Sequence, residues 1–311
     1  GSVTVQFADS VVFAAATMGN EPRLGQDFFP LTVEYEERMY AGGRIPGSFF
    51  RREGRPGTDA ILISRLTDRP LRPLFNQDIR NEVQVIMFSL SADWENPLDV
   101  LAINAASSAL MISDIPWGGP VGAVRVGRVN GEFILNPTYA QLDESDLDLR
   151  IAGTADAILM VESGSNEIDE ESMISALQFG HAAIQPIVET QMQMAKEIGK
   201  PKREVQMFTL DETLVEKVSH RIADEINAAL DAPHSKHELQ DAINTLRDNV
   251  IVEYTNPDVP EEIAEYKEAF EETYKRVVRS RILEQNKRPD GRSLTEIRPI
   301  WCEVGISPRA H

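Results

Sequence analysis

The stretch Ala41-Gly42-Gly43-Arg44-Ile45-Pro46-Gly47-Ser48-Phe49-Phe50-Arg51-Arg52-Glu53-Gly54-Arg55-Pro56, followed by Arg65-Leu66-Thr67-Asp68-Arg69-Pro70-Leu71-Arg72-Pro73-Leu74-Phe75, decides how this chain is read. From Arg44 to Arg72 seven arginines face only Glu53, Asp59 and Asp68, with no lysine, a local balance of +4. The whole chain runs the other way: 31 basic against 50 acidic residues leave a net charge of -19. That average opposes nucleic acid and anionic membranes, so a polyanion would have to be met at this island. An arginine fork can hold phosphate oxygens in two bonds and stack on a base, whereas a lysine acts as a point charge. Phe49 and Phe50 add faces for unpaired bases. Gly42, Gly43 and Gly47 around Pro46 predict a loop from which side chains project. A solvated arginine-rich loop with both phenylalanines folded into a core satisfies the same pattern.

Further along, Thr58 is placed to cap a short helix through Ile61, Leu62 and Leu66, ended by Pro70. Arg65 and Arg69 then lie one turn apart on a shared face. They can form a phosphate clamp, or pair with Asp68 and other carboxylates.

Outward from the island, Val3 to Phe7 and Val11 to Ala16 predict a hairpin, and Leu31–Glu37 and Val83–Leu90 two more strands. Asn96 as N-cap and Pro97 at the first position predict a helix with a small-residue stripe along Leu98, Leu101, Ala102, Ala105, Ala109 and Leu110. Asn130-Gly131 predicts a tight hairpin, Ala157–Glu162 a strand, and Asp169 to Ile198 a long helix. The pattern is α+β. Beyond Asp211 three helical periodicities follow, broken at Asp231-Ala232-Pro233 and from Thr255 to Pro260, predicting a small bundle. Ile300 to Ile306 reads as a strand opening another unit, so both ends predict a piece of a longer protein.

With 311 residues, at about 150 per domain, two domains are expected. The single Cys302 excludes an intramolecular disulfide and a cysteine-built zinc site, and suits a reducing compartment. No apolar run approaches a membrane span. The pairs Asp146/Asp148 and Asp169/Glu170/Glu171 raise a metal reading, but carboxylates at a helix start are expected without one.

The quoted run closely resembles bacterial-type polynucleotide phosphorylase. Gly25-Gln26-Asp27-Phe28-Phe29-Pro30-Leu31-Thr32-Val33 before it, and Asn136-Pro137-Thr138, Ala152-Gly153-Thr154 and Met160-Val161-Glu162-Ser163 after it, extend the resemblance in order along nearly the whole chain. The resemblance implies an α+β RNase PH-like core over residues 1–205, an all-α linking domain over 206–286, and the truncated start of a second RNase PH-like core over 287–311. It implies a homotrimeric ring threaded by single-stranded RNA. Phe49, Phe50, Arg51 and Arg52 would line the channel constriction with Arg55 nearby, and Arg65 and Arg69 would hold RNA or phosphate near the active-site cleft.

The implied reaction is 3′-to-5′ phosphorolysis of RNA in messenger turnover, releasing nucleoside diphosphates, with polymerisation in reverse. Inorganic phosphate is the implied co-substrate and Mg2+ or Mn2+ the implied metal. The catalytic and metal-binding residues are expected in the missing second core, so no catalytic or metal residue is assigned here and the isolated chain is expected to be inactive. The implied setting is cytoplasmic, with an organellar one open, and other RNA-degradation proteins are possible partners. Two rivals remain at this level. One is a non-catalytic scaffold using the acidic face of Glu261, Glu265, Glu268 and Glu272. The other is a small-molecule enzyme holding a phosphorylated substrate through Arg65 and Arg69.

Overall fold

The computed structural model describes residues 1–23, 26, 28–47, 53–232 and 235–309, with the side chain of residue 261 left aside. It divides into two compact units, Gly1–Phe208 and Thr209–His311.

The first unit contains two four-stranded sheets. In the first, β1 (Ser2–Phe7), β2 (Ser10–Pro22), β3 (Leu31–Glu37) and β4 (Asn81–Ser91) lie in the order β1-β2-β4-β3, with β3 parallel to β4 and the other pairs antiparallel. Burial alternates along β2 and β4: Val12, Ala14 and Ala16 on one strand and Val83, Val85 and Met87 on the other point to the core. Helix α1 (Thr58–Leu71) connects β3 to β4 and packs on β3. Ser64 fastens it, its Oγ accepting the Tyr35 N–H at 2.8 Å and donating to the Ala60 carbonyl at 3.0 Å.

Helix α2 (Asp99–Ile112) packs on β1 and β2 of the first sheet and on β5 (Gly122–Val129) of the second. Its buried positions include Ala102, Ala105, Ala106 and Ala109, whose small side chains let backbones approach closely. Two polar side chains on this helix tie it to its neighbours. Asn104 brackets Ala123 with bonds of 2.8 and 2.9 Å, and Ser107 Oγ donates to Gln191 while accepting the Val121 N–H.

The second sheet adds β6 (Glu132–Leu135), β7 (Leu147–Gly153) and β8 (Ile158–Ser165) in the antiparallel order β6-β5-β7-β8. Asn130 and Gly131 turn β5 into β6 with φ of 52° and 83°, the left-handed pair that a two-residue hairpin requires. Between β6 and β7 a short helix, α3 (Tyr139–Glu144), is closed by a Thr138–Gln141 capping box. Helix α4 (Glu170–Ile198) covers β5 and β7, burying Ala176, Ile184 and Val188 against Val124, Val126, Leu149 and Ile151.

The second unit has α5 (Glu212–Asp231), α6 (Lys236–Tyr254) and α7 (Pro260–Gln285). Val218, Ile222, Ile226, Ile243, Val250 and Phe270 form its core. Ser235 and Glu238 start α6 with a reciprocal capping box.

Four local expectations need correction. Helix α2 begins at Asp99 with Leu98 at its N-cap position, and the Asn96 side chain, in the preceding turn, donates its amide to Asp93 at 2.7 Å. Thr58 lies inside α1, whose N-cap is Gly57, and it makes no cap. Pro70 does not stop α1: it falls in the last turn, and Arg72 N–H still reaches the Asp68 carbonyl. Residues 300–306 form no strand among the described residues.

Candidate nucleic-acid interface

Helix α1 sorts its residues by face. Ala60, Leu66, Thr67, Pro70 and Leu71 are buried, while Arg65 and Arg69 are exposed. Ile61 and Leu62 on the same helix are 49% and 56% exposed. Strand β3 and helix α1 flank a cleft of about 830 Å³. Ser64, Arg65, Asp68, Arg69 and Arg72 line it from the helix, and Gly54 and Pro56 from the preceding loop.

The three arginines in this cleft are held differently. Arg72 forks onto Asp68, with bonds of 2.7 and 3.0 Å, and donates to the Leu31 carbonyl at 3.2 Å, so it ties α1 to β3. Arg69 meets Glu162 of β8 at 2.6 Å with both side chains about half exposed. Arg65 has no hydrogen-bonding or ion-pair partner among the described residues. The cleft therefore offers one free guanidinium and a second in a solvent-screened pair that a stronger anion can compete for. Of the two candidate residues Arg69 does pair with a carboxylate, Glu162, while Asp68 is taken by Arg72.

Arg55 is exposed beside the cleft-lining Gly54 and Pro56. Phe49, Phe50, Arg51 and Arg52 lie outside the described residues. The loop that leads to them is anchored through Glu53, which accepts the Met39 N–H at 2.5 Å and pairs with Arg38 at 3.4 Å.

Sequence reasoning missed Trp94. Its indole is 64% exposed and its backbone has φ of 64°, a conformation a bulky residue rarely takes and that costs on the order of 1–3 kcal/mol. Asp93 holds the turn, accepting the N–H groups of Glu95 at 2.9 Å and Asn96 at 2.8 Å together with the Asn96 amide. Burial is the largest single influence on the Asp93 carboxyl and raises it, but these bonds and one from Ser10 together outweigh it and hold it down to about 2. The Arg44 guanidinium sits over the indole, 5.1 Å from its centre. A β-carbon on Gly42 would lie 2.6 Å from Trp94 Cζ2, so only glycine admits the ring there. A Trp with positive φ has no sequence signature.

The acidic pairs do other work. Asp146 binds Arg128, Asp148 binds Arg125 and Arg150, and Asp169 caps α4 through the Ser172 N–H at 2.7 Å. Among the described residues no group of three or more His, Cys, Asp or Glu side chains could hold a metal ion.

Three family models match in succession. Residues 1–116 match domain 1 of the 3′ exoribonuclease family, 119–183 match its domain 2, and 213–293 match the RNA-binding domain of polyribonucleotide nucleotidyltransferase. All of the chain aligns with a Thermus thermophilus polyribonucleotide nucleotidyltransferase at 49% identity, covering 44% of that relative. The chain belongs to the polyribonucleotide nucleotidyltransferase family. The relative of the same name from Chloroflexus aurantiacus is 49% identical over 42% of its length, and that from Bacillus velezensis 44% identical over 44%. The chain thus spans less than half the length of the curated relatives it matches. A rice Rrp46 crystal structure superposes with a TM-score of 0.52 at 19% identity, covering 63% of this chain and 88% of the rice one, a likeness of fold. The α+β core expected from the resemblance is therefore RNase PH-like, followed by a helical bundle.

Proposed function

We propose that this chain is the RNA-holding part of a polyribonucleotide nucleotidyltransferase, which shortens RNA from its 3′ end by phosphorolysis. Residues 1–205 serve as the first RNase PH-like core, 206–286 as the linking helical domain and 287–311 as the opening of a second core. A phosphate oxygen attacks the terminal phosphodiester phosphorus, the 3′ oxygen of the preceding nucleotide leaves and takes up a proton, and a nucleoside diphosphate departs. In reverse the same step extends the chain.

The observation that carries this reading is the joint presentation of Arg65 and Arg69 from one face of α1 into one cleft. Two anions repel as they approach, and fixed guanidinium groups in a partly enclosed cleft offset that repulsion. Arg65 is free to take a phosphate oxygen. Arg69 exchanges the Glu162 carboxylate for the nucleic-acid backbone. Phe49, Phe50, Arg51, Arg52 and Arg55 guide the single strand.

A divalent ion such as Mg2+ would serve the reaction from the second core. The full-length protein works as a homotrimer in the cytoplasm. No described helix is long and apolar enough to cross a membrane.

The test is binding of a labelled single-stranded RNA to the chain and to its Arg65→Ala/Arg69→Ala variant at matched low salt. At least tenfold weaker binding with a shallower salt dependence is expected. Equal affinity in the two proteins would remove the assignment to these residues, and absence of binding by the parent would remove the RNA reading itself.

A further inference from the structure

We propose that Trp94 and Arg44 form a stacking platform for one unpaired RNA base, a contact additional to the arginine cleft. The inference rests on the RNA-holding reading above and extends it to a residue outside both arginine clusters.

A large aromatic ring is ordinarily placed where its area leaves water. Trp94 instead keeps most of its surface in solvent on a backbone that favours glycine or asparagine. Its turn is pinned from several directions: Ala92 N–H donates to the Ala41 carbonyl at 3.0 Å, Asp93 N–H to Ser10 Oγ at 3.1 Å, and Tyr139 N–H to the Glu95 carbonyl at 2.9 Å. The indole is thus presented in one position before any ligand arrives, and little ordering is left for binding to pay.

Chemistry selects the ligand. The Arg44 guanidinium over the indole makes a flat cationic surface, which suits a neutral π-system joined to a negative backbone. A nucleobase with its phosphate meets both demands, the base stacking on the pair while the guanidinium edge donates to a phosphate oxygen. Position supports the same ligand. Arg44 stands only a few residues before the arginine and phenylalanine island along the chain, so the platform and the island adjoin in sequence.

The test compares the chain with Trp94→Gly and Trp94→Phe, using a 12-nucleotide oligoadenylate and an abasic ribose-phosphate strand of equal length at matched salt. Glycine is native to the left-handed backbone, so Trp94→Gly keeps the turn, which circular dichroism checks. The expected result is at least about fivefold weaker binding of oligoadenylate by Trp94→Gly, unchanged binding of the abasic strand, and recovery to within about twofold in Trp94→Phe. Equal oligoadenylate affinity for the parent and Trp94→Gly, or equal loss for both strands, would overturn the platform while leaving the cleft reading intact. Failure of the parent to bind either strand would instead overturn the RNA-holding reading and the platform with it.

Discussion

Arg69 on α1 and Glu162 on β8, 93 residues apart in sequence, meet at 2.6 Å at the arginine cleft. The pair links a helix on the first sheet to the edge strand of the second. Half exposed on both sides, it contributes little to stability, and its consequence is electrostatic: the Glu162 carboxylate occupies the donors that an RNA phosphate would use.

Glu162→Gln should therefore leave stability within about 1 kcal/mol of the parent. It should also tighten binding of single-stranded RNA about two- to threefold at low salt, an effect that fades as salt screens the charge. Titration of a labelled oligonucleotide at several salt concentrations measures this, and unchanged affinity throughout would show that Arg69 does not meet the strand.

Asp99 lies 6% exposed at the head of α2, with Oδ2 at 2.5 Å from Arg150 and 3.3 Å from Arg125, itself 7% exposed. Arg125 also forks onto Asp148, whose carboxyl burial raises but Arg125 and Arg150 hold below its ordinary value. Asp99→Ala removes one anion and leaves two guanidinium groups under-compensated in a buried site. A loss of about 3 kcal/mol is expected in urea unfolding of the chain, larger than for any exposed ion pair.

The Asp93 carboxyl, held down to about 2, sets a pH dependence. A carboxyl lower in the folded than in the unfolded chain stabilises the fold above about pH 4 and loses that contribution as the pH falls toward 2. Asp231, also held to about 2 by hydrogen bonds from Arg281 and Lys287, acts in the same direction. Asp93→Asn should flatten the fall in urea midpoint between pH 4 and pH 2, and a slope identical to the parent would show that the turn does not depend on the carboxylate.

In the helical unit Phe270 is fully buried among Val218, Ile222 and their neighbours. Phe270→Ala should cost about 3–5 kcal/mol, seen as a lower midpoint for loss of the helical circular-dichroism signal.

Much of the fold was legible because it rests on local rules. Alternation marked β3 and β4, Asn130-Gly131 marked the β5–β6 hairpin, and helical spacing from Leu214 to Val278 marked the three-helix bundle. Where local signals competed, the reading slipped: Asn96 is a good helix cap, yet it lies in the turn before α2, its amide donating to Asp93 three residues earlier. Pro70 is a helix breaker, yet α1 runs one residue past it: the helix forgoes the bond that a residue-70 N–H would make to Leu66, and the Arg72 N–H still closes the turn on the Asp68 carbonyl.

The candidate site divides along the same line. The sequence by itself determined that a cationic island exists in an acidic chain, that α1 sets Arg65 and Arg69 one turn apart, and, through its ordered motifs, the family. Helical periodicity and composition are properties of neighbours along the chain, and for these no tertiary information is needed. Only the tertiary structure decided that Arg69 faces Glu162 while Arg65 has no partner among the described residues, and that Arg44 rests on Trp94. Those outcomes depend on which distant carboxylate or ring the packed sheets bring within about 3–5 Å, and charge pairing at that range is set by three-dimensional proximity that no spacing along the chain encodes.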